Sequence, residues 1–236
     1  MSEKKDLTIH LGQSAQVPAE IAEKAQGFVD NYVAFLKDRT DAYKHRMAEA
    51  QVRAKAQPEA APFFAGGYQY ANCLTAGPIQ FFGNPPYRPS KIIAAGEETL
   101  MLGVVWVNPA NGPGGTWPGT VVLGGRPYRV RFETINLSDV TNGPDWQPDP
   151  PIGTFDSPAN ELYIFGWWHT WADPGAHPNL YETTFTLDIT EAGQPFAAFS
   201  TWHYDPDTEP GFLGIGTVGP HWQFERPARF LVYRKD

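Results

Sequence analysis

Glu161-Leu-Tyr-Ile-Phe-Gly-Trp-Trp-His-Thr-Trp171 gathers three tryptophans, a tyrosine, a phenylalanine and a histidine into one stretch, and its period decides the fold. Read as a strand, successive side chains alternate between two faces. Phe165, Trp167, His169 and Trp171 then share one side, and Gly166, Trp168 and Thr170 the other. The first set suits the core between two sheets. The second leaves Trp168 facing outward, beneath a loop, a ligand or a neighbouring subunit.

Period-2 segments recur on both sides of this stretch. The spacing predicts strands over 68–74, 79–82, 91–95, 99–108, 120–123, 128–137, 161–170, 181–189, 196–204 and 229–234. Alternation is clearest in Tyr128-Arg-Val-Arg-Phe132, in Tyr181-Glu-Thr-Thr-Phe-Thr-Leu-Asp-Ile189 and in Phe196-Ala-Ala-Phe-Ser-Thr-Trp202. Turn chemistry separates them at Gly96, Asn108-Pro109, Gly124-Gly125, Asn142-Gly143-Pro144 and Gly193. Gly124-Gly125 predicts a tight hairpin between 121–123 and 128–132. Many short strands without intervening helices predict a mainly β fold, an antiparallel β-sandwich or jelly roll. The connection over 139–159 carries five prolines and Trp146. Its length is of the kind that loops with a functional or interface role tend to have.

Upstream the period changes to that of a helix. Pro18 suits a first turn. Ile21, Ala25, Phe28, Tyr32, Leu36, Tyr43, Met47, Ala50 and Ala54 then recur at helical intervals up to Gln57, which precedes Pro58. A continuous helix of this extent would run roughly 60 Å, whereas a β domain of the remaining length measures only about 35–40 Å across. Either the helix breaks, near Gly27 or at Arg39-Thr40-Asp41, or part of its apolar face meets another subunit. Phe28, Tyr32, Leu36, Tyr43 and Met47 are the residues expected at such an interface. Ile21, Tyr32, Tyr43 and Ala54 follow an eleven-residue repeat, which disfavours a left-handed coiled coil. The expected organisation is an N-terminal arm and long amphipathic helix over 1–57, an Ala/Pro/Gly linker over 58–66, and the β-sandwich over 67–236.

The 236 residues carry a formal charge of −8, with 42% hydrophobic and 14% aromatic side chains. This composition is that of a folded globular protein and lacks the clustered Lys and Arg of a general nucleic-acid binder. Cys73 is the only cysteine. It excludes an intramolecular disulfide and reads as a small buried hydrophobe. The first ten residues lack the apolar core of a signal peptide, and nowhere is there an apolar run long enough to span a membrane. A cytoplasmic protein without a membrane span is the expectation.

Three segments place a histidine beside a tryptophan: Trp168-His169, Trp202-His203 and His221-Trp222. His169, His203 and His221 would form a transition-metal site if the fold brought them together, because three neutral imidazoles suit zinc, copper or iron with an open position. Asp205, Asp207 and Glu209 alternate along an acidic loop that could offer oxygen ligands to calcium. Glu161, Glu182 and Asp188 are strand carboxylates that would serve a glycosidase only if two flanked a cleft. Trp146, Trp168 and Trp171 are the rings expected to stack on a glycan or another small cyclic molecule. The leading expectation is a non-enzymatic protein that self-associates or binds a protein partner, with the long helix and aromatic loops making the intersubunit contacts. An aromatic-lined ligand-binding sandwich and a tri-histidine metalloprotein are the alternatives.

Overall fold

The period-2 segments pair into two sheets stacked face to face, and the long helix covers the outside of one of them. The structure, a computed structural model, describes residues 7–11, 17–56, 70–110, 117–189, 196–200 and 228–235. In chain order the elements are β1 (Leu7–Leu11), α1 (Ala19–Ala56), β2 (Ala71–Ile79), β3 (Ile92–Ala94), β4 (Glu98–Val107), α2 (Gly119–Val122) and β5 (Pro127–Asn136). Then follow β6 (Thr141–Asn142), β7 (Gly153–Thr154), β8 (Leu162–Thr170), β9 (Asn179–Ile189), β10 (Phe196–Ser200) and β11 (Ala228–Tyr233). The inner sheet has the order β1-β8-β4-β2. The outer sheet has the order β3-β11-β9-β5-β6, with β10 also on β9 and β7 also on β5. Pairing is antiparallel except for β1 on β8 and β11 on β3. The mainly β, antiparallel sandwich preceded by a helix is therefore the architecture.

The inner sheet is apolar on both faces. Every residue of β2 is buried, as are Thr99–Val107 of β4 and Leu162–Trp167 of β8. Such uninterrupted burial is what a strand covered on both sides requires. Toward the outer sheet it presents Cys73, Met101, Val105, Tyr163, Phe165 and Trp167, which meet Val130, Phe132, Phe185, Leu187, Phe230 and Val232. Toward α1 it presents Leu74, Leu100, Leu102, Val104, Trp106, Leu162 and Ile164. The outer strands β5, β9 and β11 instead alternate buried with more exposed positions, so one face of the outer sheet meets solvent.

α1 is one continuous helix of 38 residues. Gly27 is exposed within it, and Thr40 is a docking point instead of a break. The Trp106 indole N–H donates to the Thr40 hydroxyl at 3.2 Å, and that hydroxyl donates to the Leu36 carbonyl at 2.9 Å. The Tyr43 ring stands edge-on to Trp106 at 5.2 Å. Lys44 reaches Glu161 at 2.6 Å and Asp41 at 3.2 Å. Burial works against the Lys44 ammonium, but these carboxylates outweigh it and hold its pKa above the ordinary value.

The buried stripe Ala25, Val29, Tyr32, Leu36, Thr40, Tyr43 and Met47 repeats after eleven residues. Eleven residues make almost three whole turns, so the stripe stays nearly straight. From Ala25 to Met47 it spans about 33 Å, the length of a ten-residue strand such as β4. Beyond Met47 the helix passes the sheet, and Val52 is exposed.

This corrects the expected interface. Tyr32, Leu36, Tyr43 and Met47 are buried against the chain's own inner sheet, and Phe28 packs against the same cluster. The helix face that looked free for another subunit is occupied because the outside of the inner sheet is as apolar as its inside.

The segment 120–123 is a second correction. Its first three residues belong to the short helix α2 and Leu123 caps that helix, so it is not a strand, and the Val122 N–H donates to the Pro118 carbonyl at 3.1 Å. Pro118 presets the first turn, and Gly124-Gly125 turns the chain into β5. The long 139–159 connection folds back along the open edge of β5. β6 pairs with Ile135 and Asn136, Trp146 exchanges both backbone hydrogen bonds with Phe132, and β7 pairs with Pro127 and Tyr128. Asp145 accepts the Thr134 N–H at 2.8 Å. The loop thus covers an edge that would otherwise recruit another strand.

Replacements at two positions test the packing. A Cβ on Gly103 would sit 2.4 Å from the Phe185 ring, which bridges the sheets at that point. Gly103→Ala is therefore expected to lower stability by about 1–3 kcal/mol in denaturant unfolding. Thr40→Val removes the acceptor from the buried Trp106 indole and should cost about 1–3 kcal/mol, while Thr40→Ser, which keeps the hydroxyl, should cost less.

Candidate functional site

The C-terminal end of β8 carries the richest chemistry among the described residues. Trp167 and Trp171 lie in the inter-sheet core, with His169 between them at 5.2 and 4.7 Å between ring centres. Trp171 then crosses to the outer sheet, where its ring meets Tyr181 at 4.6 Å and Phe230 at 4.9 Å. Its carbonyl accepts the Gly96 N–H at 2.9 Å. The strand period brings these rings to one side, and the residue after the strand turns the stack across the end of the sandwich.

The three tryptophans expected to bind a ligand occupy three different settings. Trp171 is 1% exposed, so it is a core residue and cannot serve as a stacking platform. The cross-sheet contacts that bury it could not be read from one strand. Trp168 packs on the helix side of the inner sheet, half-buried, with Phe81 at 5.8 Å. Trp146 is half-buried against Phe132 at 5.9 Å. The three do not form a common wall. Trp117, beside Pro118 at the start of α2, is 70% exposed.

His169 is the one member of the expected metal set within the described residues. His203 and His221 lie outside them, as do Asp205, Asp207 and Glu209. Among the described residues no group of three His, Cys, Asp or Glu side chains is placed to hold a metal ion. Glu161, Glu182 and Asp188 are each ion-paired, with Lys44, Arg229 and Arg129 respectively. Glu161 directly precedes β8 of the inner sheet, whereas Glu182 and Asp188 lie on the outer sheet, so they do not flank one cleft. Tyr163 and Tyr128 are held protonated, Tyr128 with its pKa pushed up to about 12 by burial and by Asp156. The Tyr163 hydroxyl accepts the Asp156 and Asn160 N–H groups and donates to the Asp156 carboxylate, which is a loop anchor. Cys73 is buried between the sheets.

A different surface emerges on the solvent face of the outer sheet. Its polar end is a lattice of ion pairs: Arg129 with Asp188 at 2.6 Å, Arg131 with Glu133 at 3.3 Å, and Arg229 with Glu182 at 2.6 Å. Its other end is apolar. Leu231 pairs with Ile92 on one side and with Leu180 on the other. The Leu137 N–H donates to the Leu180 carbonyl at 2.8 Å, which extends the same row. Ile92, Leu231 and Leu137 are 60%, 36% and 36% exposed, and Ile135 and Tyr233 beside them are also exposed. A faint sequence signal exists: Phe230-Leu-Val-Tyr233 and Ile92-Ile93 break the polar phase of the alternation. The register that joins them is tertiary.

No family model matches the chain, and no curated protein matches it. Among solved structures it is similar to the C-terminal domain of Wzt, with 7% identity, coverage of 74% of this chain and 80% of that one, and a TM-score of 0.37. It is also similar to the CARDB domain of a Pyrococcus furiosus protein in complex with di-metal ions, with 10% identity, coverage of 71% and 91%, and a TM-score of 0.29. A third is the Pseudomonas fluorescens alkylpurine DNA glycosylase AlkC bound to DNA containing an abasic site analog, with 8% identity, coverage of 57% and 31%, and a TM-score of 0.26.

Burial holds the His169 pKa below the ordinary 6.5. The unfolded chain takes up this proton near 6.5 and the folded chain only at lower pH, so protonation favours unfolding. The contribution of neutral His169 is present above pH 6.5 and is lost as pH falls through the folded-state pKa. An NMR titration should place the His169 imidazole below 6.5. His169→Gln should lose less stability than the parent protein between about pH 7 and about pH 5.

Proposed function

We propose that this protein is a non-enzymatic binding module, and that the apolar end of its outer sheet is where it holds a protein partner. The observation that carries the reading is the aliphatic row Ile92, Leu231, Leu180 and Leu137, aligned across β3, β11, β9 and the residue that follows β5 on a face open to solvent. Apolar side chains standing singly on a surface need no explanation, but a row in register does. The polar phase of β9 reads Glu182, Thr184, Thr186 and Asp188, so this face takes charge and hydroxyl groups readily elsewhere.

Val140 adds to the reading. It follows Leu137 in the turn after β5, is 85% exposed, and has a φ of 55°. A β-branched residue in the left-handed region is strained, and Gly or Asn would sit there at lower cost. An apolar side chain placed at a strained and exposed position is explained by contact with something outside the chain. The long helix enters this reading as support for the inner sheet, and the contact surface moves from α1 to the opposite side of the sandwich.

Leu231→Asp separates contact from folding. Because the side chain is already exposed, its unfolding free energy should change by only about 0.5 kcal/mol or less. Cross-linking mass spectrometry on the protein in its own cells should lose the partner cross-links that map to β3, β9 and β11. Unchanged cross-links in a folded Leu231→Asp protein would overturn the reading.

A further inference from the structure

The arrangement of charge beside the aliphatic row specifies what kind of partner fits it. Resting on the reading of this face as a protein-binding surface, we infer that its occupant is a second copy of this chain, related by a two-fold axis that runs along the strands between β11 and β9.

The inference follows from the register. Three strands and the residue just after β5 carry the row in the spatial order Ile92, Leu231, Leu180, Leu137, about 14 Å from end to end at the usual strand spacing. The next row along the same strands places Arg229 on β11 opposite Glu182 on β9. A closed dimer uses the same patch on both subunits, so the patch must be complementary to itself after rotation. A two-fold axis lying in the face, parallel to the strands and midway between β11 and β9, exchanges the two halves of each row. Leu231 then lies over the partner's Leu180, and Ile92 over the partner's Leu137. In the adjoining row, Arg229 lies over the partner's Glu182, and Glu182 over the partner's Arg229. Within the aliphatic row apolar groups meet apolar groups, and Arg229 and Glu182 each meet the opposite charge, while Ile135, which continues the charged row on β5, lies over the partner's chain just before β3.

The alternative two-fold, running across the strands, sets Leu231 over itself and turns Arg229 toward the apolar side of the row, where it finds no carboxylate from Glu182. The axis along the strands is thus selected by charge. It also agrees with aligned packing of two sheets, whose strand directions stay within about 30° of each other. Within one copy Arg229 and Glu182 are already paired at 2.6 Å, with Arg229 the more exposed of the two. The dimer would join two such pairs into an alternating group of four charges, under cover of the aliphatic row. Charge complementarity of this type fixes register and rejects mismatched docking.

A charge-reversal experiment on the full chain tests the geometry. Sedimentation velocity over a concentration series should show the parent protein as a dimer in equilibrium with monomer. Arg229→Glu places Glu against the partner's Glu182 twice, and Glu182→Arg places Arg against the partner's Arg229 twice. Each variant alone should self-associate at least about tenfold more weakly, because like charges then face each other. An equimolar mixture of the two variants makes both cross-contacts attractive again, and it should form a one-to-one dimer. Recovery in the mixture also shows that both variants are folded. The inference is overturned if the parent protein stays monomeric, if either variant associates as well as the parent, or if the mixture associates no better than its components.

A photo-cross-linking amino acid at position 231 separates this result from the fate of the broader reading. Cross-links in cells to a different protein, with a monomeric purified chain, would overturn the self-association and keep the face as a partner surface. The absence of any protein cross-link would overturn both.

Discussion

The structure depends on one constraint: the inner sheet is apolar on both faces and must be covered on both. The chain spends two different elements on that requirement, the outer sheet on one side and α1 on the other. Burying a large aliphatic or aromatic side chain is worth about 1.5–3 kcal/mol, so leaving either face open would forfeit much of the core. This explains the helix. It is long because the strands it covers are long, and its stripe is straight because a sheet, unlike a partner helix, offers no supercoiled groove to follow. The Trp106–Thr40 hydrogen bond and the Lys44–Glu161 ion pair supply polar register to a contact that is otherwise non-directional.

Among the described residues, covering both faces of the inner sheet leaves the solvent face of the outer sheet as the large exposed strand surface. The edges are managed separately. β1 lies along β8, and the 139–159 loop lies along β5. With an edge covered, strand addition is blocked there, and under the proposed reading recognition falls to side chains standing on the face. The division of that face into an ion-paired end and an aliphatic end gives it polarity. The division would also make the proposed contact directional, since only some rotations bring like with like in the apolar row and opposite with opposite in the charged one.

The two faces of β8 could be read from Phe165, Trp167 and Trp171 because strand geometry assigns alternate residues without reference to anything else. The helix could be read from its stripe up to Gln57 for the same reason. Burial of Trp171 could not, since it arises from Tyr181 and Phe230 on strands far away in sequence. The same holds for Thr40. As a residue it looks like a weak point in a helix, and only the indole of Trp106 turns it into an anchor. Ile92, Leu137, Leu180 and Leu231 each look ordinary alone, and it is their register that makes a surface.

By itself the sequence determined period, and with it the type of most elements, their approximate limits and the presence of a helix too long for a simple appendage. It also held the distinction between strands covered on one face and on both, as alternation in β5 and β9 and uninterrupted apolar runs in β4 and β8. The tertiary structure alone decided what covers what: that α1 spends its apolar face on its own sheet, that the proline-rich loop seals an edge, and that three exposed aliphatic residues line up with the half-buried Leu180. Local geometry follows from neighbours in the chain, whereas contact between segments follows from the free energy of the whole core, which no single segment contains.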